Sequence, residues 1–132
     1  MKYTRIALAA VALAAASSLT HAADPIKIGV QGPFTGGSSS MGVSMRDGVR
    51  LAAAEINAAG GVLGRQILLV ERDDEAKNER GVQIAQELIN KEKVAAAVGY
   101  INTGVALASQ RFYQEAKIPV MNNVATDRKS VV

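Results

Sequence analysis

The chain has 132 residues, 48% of them hydrophobic, with no cysteine and a single histidine, His21. Its formal net charge is +3. No basic stripe interleaved with aromatic residues accompanies that charge, which argues against a nucleic-acid partner. Without thiols, and with its one imidazole in a segment read below as removable, the chain offers no Ser-His-Asp, Cys-His or zinc-ligand set.

Residues 1–22 read as an export signal rather than as fold. Lys2 and Arg5 form a short basic start, Ile6 to Leu19 is an apolar run, and Thr20-His21-Ala22 supplies small residues for cleavage. The run is fourteen residues long, short of the roughly 20 that span a bilayer. Cleavage after Ala22 or Ala23 is expected, with delivery to the periplasm. No cysteine follows the run, so no lipid anchor is expected. Losing Lys2 and Arg5 takes the formal charge from +3 to +1, so the exported part is nearly balanced. About 110 residues without disulfides must then rely on a true hydrophobic core.

Behind the signal, strands and helices alternate. A first strand is expected at Ile26–Gln31, followed by a glycine- and serine-rich loop. A first helix over Met41–Ala58 carries Val43, Val49, Leu51, Ala52 and Ile56 toward the core, with Arg46, Asp47, Arg50 and Glu55 outward. Gly60 and Gly61 end it. A second strand, Gln66–Arg72, runs into Asp73-Asp74-Glu75, read as a solvated strand end because it lacks the alternating oxygen ligands of a calcium loop. Asn78 is the expected N-cap of a second helix, Glu79–Lys91, with Val82, Ala85, Leu88 and Ile89 inward. Val94–Val98 forms a third strand, apolar throughout as a central parallel strand should be. Thr103 caps a third helix over Gly104–Ala116, and Ile118–Asn122 is a fourth strand.

This alternation predicts an α/β fold, a doubly wound parallel sheet in the order 2-1-3-4. Such sheets commonly hold five or six strands, so the segment is expected to be the first part of a longer protein. Ligands of open α/β sheets sit beyond the C-terminal ends of the strands, where neighbouring connections leave on opposite faces. Two loops border that crevice: Gly32 to Gly42 and Gly99 to Thr103. Both feed helix N-termini, whose free N–H groups favour an anion. Ser38, Ser39, Ser40, Asn102 and Thr103 add polar contacts, although each serine and Thr103 would also serve as a simple cap. Nucleotide binding is disfavoured, since neither GK[ST] nor G-x-G-x-x-G occurs in the first loop.

The strings IKIGVQGPFTGG, EINAAGGVLGRQI, VERDDEAKNERGVQIAQELI and VGYINTGVALA resemble the N-terminal lobe of periplasmic Leu/Ile/Val-type amino-acid-binding proteins, the substrate-binding components of branched-chain amino acid ABC importers. The resemblance covers residues 26 to 128. It implies a two-lobed protein that closes on its ligand, with no enzymatic activity and no cofactor, and with a small carboxylate-bearing ligand and a membrane ABC permease as partners. It further implies that Thr103 and the amide of Gly104 hold the ligand's α-carboxylate. The ammonium would meet the Val124 carbonyl and the Thr126 hydroxyl, its main acidic partner lying on a second lobe. Ser39, Ser40 and Met41 occupy a loop that often contacts the ligand side chain. Met41 stands where some members carry Tyr, which opens the ligand range to related amino acids and other small carboxylates.

The reading is therefore a periplasmic solute-binding lobe that captures its ligand by closure. A ligand-sensing receptor lobe of the same fold, or an exported α/β enzyme whose catalytic groups lie beyond Val132, are the alternatives.

Overall fold

The computed structural model describes residues 23–125. The export segment and Thr126 lie outside the described residues. The element order is β1 (Ile26–Gly32), α1 (Ser39–Ala58), β2 (Ile67–Asp73), α2 (Asn78–Glu87), a π-helical turn (Leu88–Glu92), β3 (Ala96–Gly99), α3 (Thr103–Glu115) and β4 (Val120–Asn122). The four strands form one sheet in the order β2-β1-β3-β4, and every pairing is parallel. The expected doubly wound order is thus present.

Strand residues alternate between two unequal faces. On one, α2 and α3 cover the sheet: Val70, Ile84, Leu88 and Val94 make one buried cluster, and Ala85, Ala97, Tyr100, Val105, Ala106 and Tyr113 make another. On the other, α1 closes Val30, Met45 and Ile101 together with Phe34, Val49 and Leu69. Beyond α1 that second face stays open, with Ile28, Ala96, Val98 and Met121 along a shallow trough.

Glycine decides how close α2 comes to α3. A Cβ on Gly81 would run into Val105 Cγ1, so the two helices cross at backbone distance and place their N-termini side by side. Gly42 plays the same part for α1, since a Cβ there would collide with the Pro33 carbonyl.

Four local expectations are corrected. The buried residues of α1 are Gly42, Met45 and Ala53, whereas Leu51 is 63% exposed, and Ile56 and Ala52 are exposed as well. The helix is turned so that Gly42 meets the Pro33 carbonyl while Met45 and Val49 pack against Val30 and Leu69, which leaves Leu51 and Ile56 on the outside. Asn78 is not the N-cap of α2; Lys77 holds that position and Asn78 is the first helical residue. Thr103 likewise is the first residue of α3, behind Asn102, and neither cap residue makes a side-chain capping bond. The second helix does not run regularly to Lys91: after Glu87 it widens into the π turn and stops at Lys93, which is left-handed (φ 58°, ψ 48°). The Val94 amide then donates to the Leu88 carbonyl, burying Val94 before β3 begins.

Candidate functional site

All strands are parallel and all helices follow strands, so the three helix N-termini and the loops behind β1, β3 and β4 share one rim of the sheet. The loop after β1 is held from below by the end of β2. Asp73 Oδ1 accepts from the amides of Phe34 (2.8 Å) and Glu75 (2.9 Å), and Oδ2 accepts from Thr35 Oγ1 (2.6 Å). Partial burial pushes the Asp73 carboxyl up, but the bonds from Thr35, Glu75 and Phe34 outweigh it and hold the group below its ordinary value. Its neighbour Asp74 is 1% exposed. Burial raises that carboxyl above its ordinary value, against the opposing pull of the Ala76 amide and the Gln31 side chain.

The acidic run is therefore not a solvated strand end. One carboxylate staples the first loop, and the next is buried beneath the α2 N-terminus. Neither forms part of a metal-ligating cluster; no group of three or more His, Cys, Asp or Glu able to hold a metal is found among the described residues.

The loop after β3 starts at Tyr100, a non-glycine residue in the left-handed region (φ 60°), whose side chain is 2% exposed. This conformation swings the chain out of β3 and into α3 within three residues. Ile101 is buried against Met45 and Val30, and Asn102 Oδ1 is buried with no hydrogen-bond partner among the described residues. Thr103 and Gly104 form the first turn of α3, beside Asn78 of α2.

The loop after β4 is tied to the same place. The Asn123 amide donates to the Gly99 carbonyl (3.0 Å), and the amides of Val124 and Ala125 donate to the Tyr100 carbonyl (3.3 and 3.4 Å).

Between α1 and the loops after β3 and β4 lies an open depression of about 520 Å³, lined by Ser40, Met41, Ser44, Met45, Ile101, Asn123 and Val124. Of the residues expected from sequence, Ser40, Met41 and Val124 line it. Ser39 is half-buried at the start of α1, outside the lining. Asn102, Thr103 and Gly104 stand at the neighbouring α3 N-terminus. Ser44, Met45, Ile101 and Asn123 are lining residues that the sequence reading did not include. Ser44 and Met45 were accessible to it, since they follow Met41 by three and four positions on a helix and so share its face. Ile101 and Asn123 lie in loops whose direction no periodicity encodes.

The chemistry of the depression is mixed. Met41, Met45, Ile101 and Val124 offer apolar contact, Ser40 and Ser44 offer hydroxyls, and the α3 N-terminus beside the depression presents a field that favours a negative group. Ser44 Oγ donates to the Ser40 carbonyl (2.9 Å), which leaves its lone pairs as acceptors. Nothing in this set provides a nucleophile with a base beside it.

The geometry has close parallels. The family profile for "Periplasmic binding protein" matches residues 25–131. The chain is 36% identical over 118 residues to an "Amino acid binding protein" of Pseudomonas aeruginosa, a match that spans 89% of this chain and 32% of that one. It is 37% identical over 90 residues to "Leu/Ile/Val-binding protein homolog 2" of Brucella abortus, spanning 68% of this chain and 24% of the other. Among solved structures, the branched-chain amino acid transporter substrate-binding protein LivJ of Streptococcus pneumoniae, in complex with isoleucine, superposes with a TM-score of 0.77 at 31% identity, covering 80% of this chain and 30% of that one. A solute-binding protein of an ABC transporter from Rhodopseudomonas palustris, in complex with 3,4-dihydroxybenzoic acid, gives 0.67 at 32% identity, covering 74% and 26%. The chain thus spans about a quarter to a third of the length of the curated relatives it matches.

Proposed function

The chain belongs to the periplasmic binding protein family, and on that premise we propose that it forms the N-terminal lobe of a solute-binding protein that delivers branched-chain or related amino acids to an ABC importer. The observation that carries this reading is the convergence of the first two turns of α1 with the loops after β3 and β4 on one open depression, beside the α3 N-terminus. In this reading the amides of the first turn of α3 and the Thr103 hydroxyl receive the ligand's carboxylate. The helix dipole and the first-turn N–H groups supply the favourable field there. Met41, Met45 and Ile101 receive apolar side-chain atoms, and the ammonium is assigned to the Val124 carbonyl and the Thr126 hydroxyl. The second lobe, supplied by polypeptide such as the relatives possess, closes over the ligand and completes the site. The closed form then docks on the permease.

Aromatic carboxylates form a second ligand class with support of its own. The apolar residues on this lobe would suit a ring, and two of the structural neighbours, both from Rhodopseudomonas palustris, hold 3,4-dihydroxybenzoic acid and benzoate. Both classes share the carboxylate and therefore the same dependence on Thr103.

The test is a chimaera that joins this lobe to the remaining polypeptide of the Pseudomonas aeruginosa relative, titrated with leucine and with benzoate. Thr103→Ala is expected to weaken binding of the accepted ligand by about 1.5–3 kcal/mol, the size of a hydrogen bond to a charged group, or roughly tenfold to a hundredfold in affinity. Unchanged affinity would reduce Thr103 to the first residue of a helix. Residues 1–22 act in this reading as a cleaved signal, with residues 23–132 belonging to the lobe. N-terminal sequencing of periplasmic material should find a start at Ala23 or Asp24, and a cytosolic protein starting at Met1 would refute it.

A further inference from the structure

Tyr100 ties the end of β1 to the loop after β4. Its amide donates to the Gln31 carbonyl (3.4 Å), and its carbonyl accepts from the amides of both Val124 and Ala125. Its hydroxyl donates to Gln31 Oε1 (3.3 Å), while Gln31 Nε2 donates to the Gly81 carbonyl at the start of α2 (3.3 Å). Gln31 is 1% exposed and Tyr100 2%. The backbone of Tyr100 sits at φ 60°, a conformation that a bulky side chain adopts only where its surroundings hold it there.

These contacts exceed what packing requires. An apolar pair could fill the same space between α2, α3 and the sheet, and buried polar groups are tolerated only when bonded to one another. The hydroxyl also stays a donor at any ordinary pH. Burial pushes it up to about 12, although the Ser109 and Tyr113 hydroxyls that face it pull the other way.

We infer that the buried Gln31–Tyr100 pair is a positioning device: it holds Tyr100 in its left-handed turn and thereby sets the spacing between the loop that carries Asn102 and Thr103 and the loop that carries Asn123 and Val124. The consequence for ligand capture rests on the function proposed above, but the positioning itself does not. Gln31 bonds Tyr100 and the Gly81 carbonyl of α2 and faces Asp74, and neither side chain of the pair lines the depression. The device sets the relative place of two binding segments drawn from different βα units, while the residues on those segments do the binding.

Amide hydrogen exchange on the 132-residue chain separates positioning from general stability. Tyr100→Phe removes one oxygen and keeps the ring, and Gln31→Met removes the acceptor and keeps the length. Each should accelerate exchange at Asn123, Val124 and Ala125 by about tenfold or more while amides in the middle of α1, around Ala53, keep their wild-type rates. The double variant should add little to Gln31→Met, because that change already breaks the Tyr100 bond along with the one to the Gly81 carbonyl. Uniform acceleration through the whole chain would mean a purely structural role, and unchanged rates at 123–125 would mean the pair holds nothing; either result overturns the inference. Should one variant fail to fold, the other makes the same measurement. Leucine and benzoate titration of the chimaera addresses the ligand separately: local exchange effects without binding of either compound would leave the positioning role standing and remove the proposed function.

Discussion

The two faces of the sheet are built to different standards. Under α2 and α3 the packing is closed: Leu88, Ala85, Val105 and Ala106 are fully buried, and glycines at 29 and 81 let side chains or helices approach the backbone directly. Under α1 only the β1–β2 half is covered, through Met45, Val49 and Ala53, and Met121 on β4 remains 66% exposed. The closed face carries the polar pair Gln31–Tyr100 at its upper end, and the open face leads into the depression. A rigid half therefore supports the loops, while the accessible half leaves room for a ligand and for further polypeptide. The difference teaches that placement of the rim loops comes from small residues and buried polar contacts on the side away from the depression.

The sharpest way to break that contrast is to truncate one large side chain on each face. Leu88→Ala should cost about 2–5 kcal/mol, since it leaves a cavity between α2, β1 and β2. Leu51→Ala on the exposed side of α1 should stay within about 0.5 kcal/mol. Urea unfolding of the two variants measures both, and similar losses would mean that the faces are not unequal. Next in size is Gly81→Ala, whose methyl meets Val105 and should cost about 1–3 kcal/mol by overpacking. A companion Val105→Ala change should recover part of that loss if the contact is the cause.

The smallest effects concern the adjacent carboxylates, and they have opposite signs. Asp73 is held below its ordinary value, so its contribution is present above the unfolded value of about 3.9 and disappears as pH falls through the folded one. Asp74 is raised by burial, so its ionisation opposes folding, and that opposition grows as pH rises through its folded value. Asp73→Asn should therefore destabilise the chain at pH 7 and approach wild type as pH falls through the folded value. Asp74→Asn should match wild type in acid and gain on it toward neutrality, because its Oδ1 can still accept from the Ala76 amide. Thermal melts across pH 3 to 8 that moved both variants in the same direction would show that the two carboxyls share one environment.

Much of this was legible in the chain itself. The switch between short β-branched runs and longer helical spacings placed β1, α1 and β2 within two residues of where they stand, because each segment's period is local information. Parallel order followed from the alternation of types. The crevice followed from the order, and Ser40, Met41 and Val124 do line it.

What the local pattern could not carry was the phase of α1, whose core side is selected by the contacts of Gly42 with Pro33 and of Met45 and Val49 with Val30 and Leu69, which leaves Leu51 and Ile56 outside. Nor could it show that Asp74 lies buried, since an acidic run reads as solvated until an adjoining helix N-terminus closes over it. The left-handed turn at Tyr100 is of the same kind. Its side chain meets Gln31 across 69 residues of sequence, and its carbonyl meets Val124 and Ala125 only once β4 is seated beside β3. Periodicity and residue type determined which elements form and in what order they lie, because those depend on neighbours along the chain. The relative placement of the rim loops was decided by tertiary structure alone, since it depends on bonds between groups that the chain brings together only when the sheet is complete.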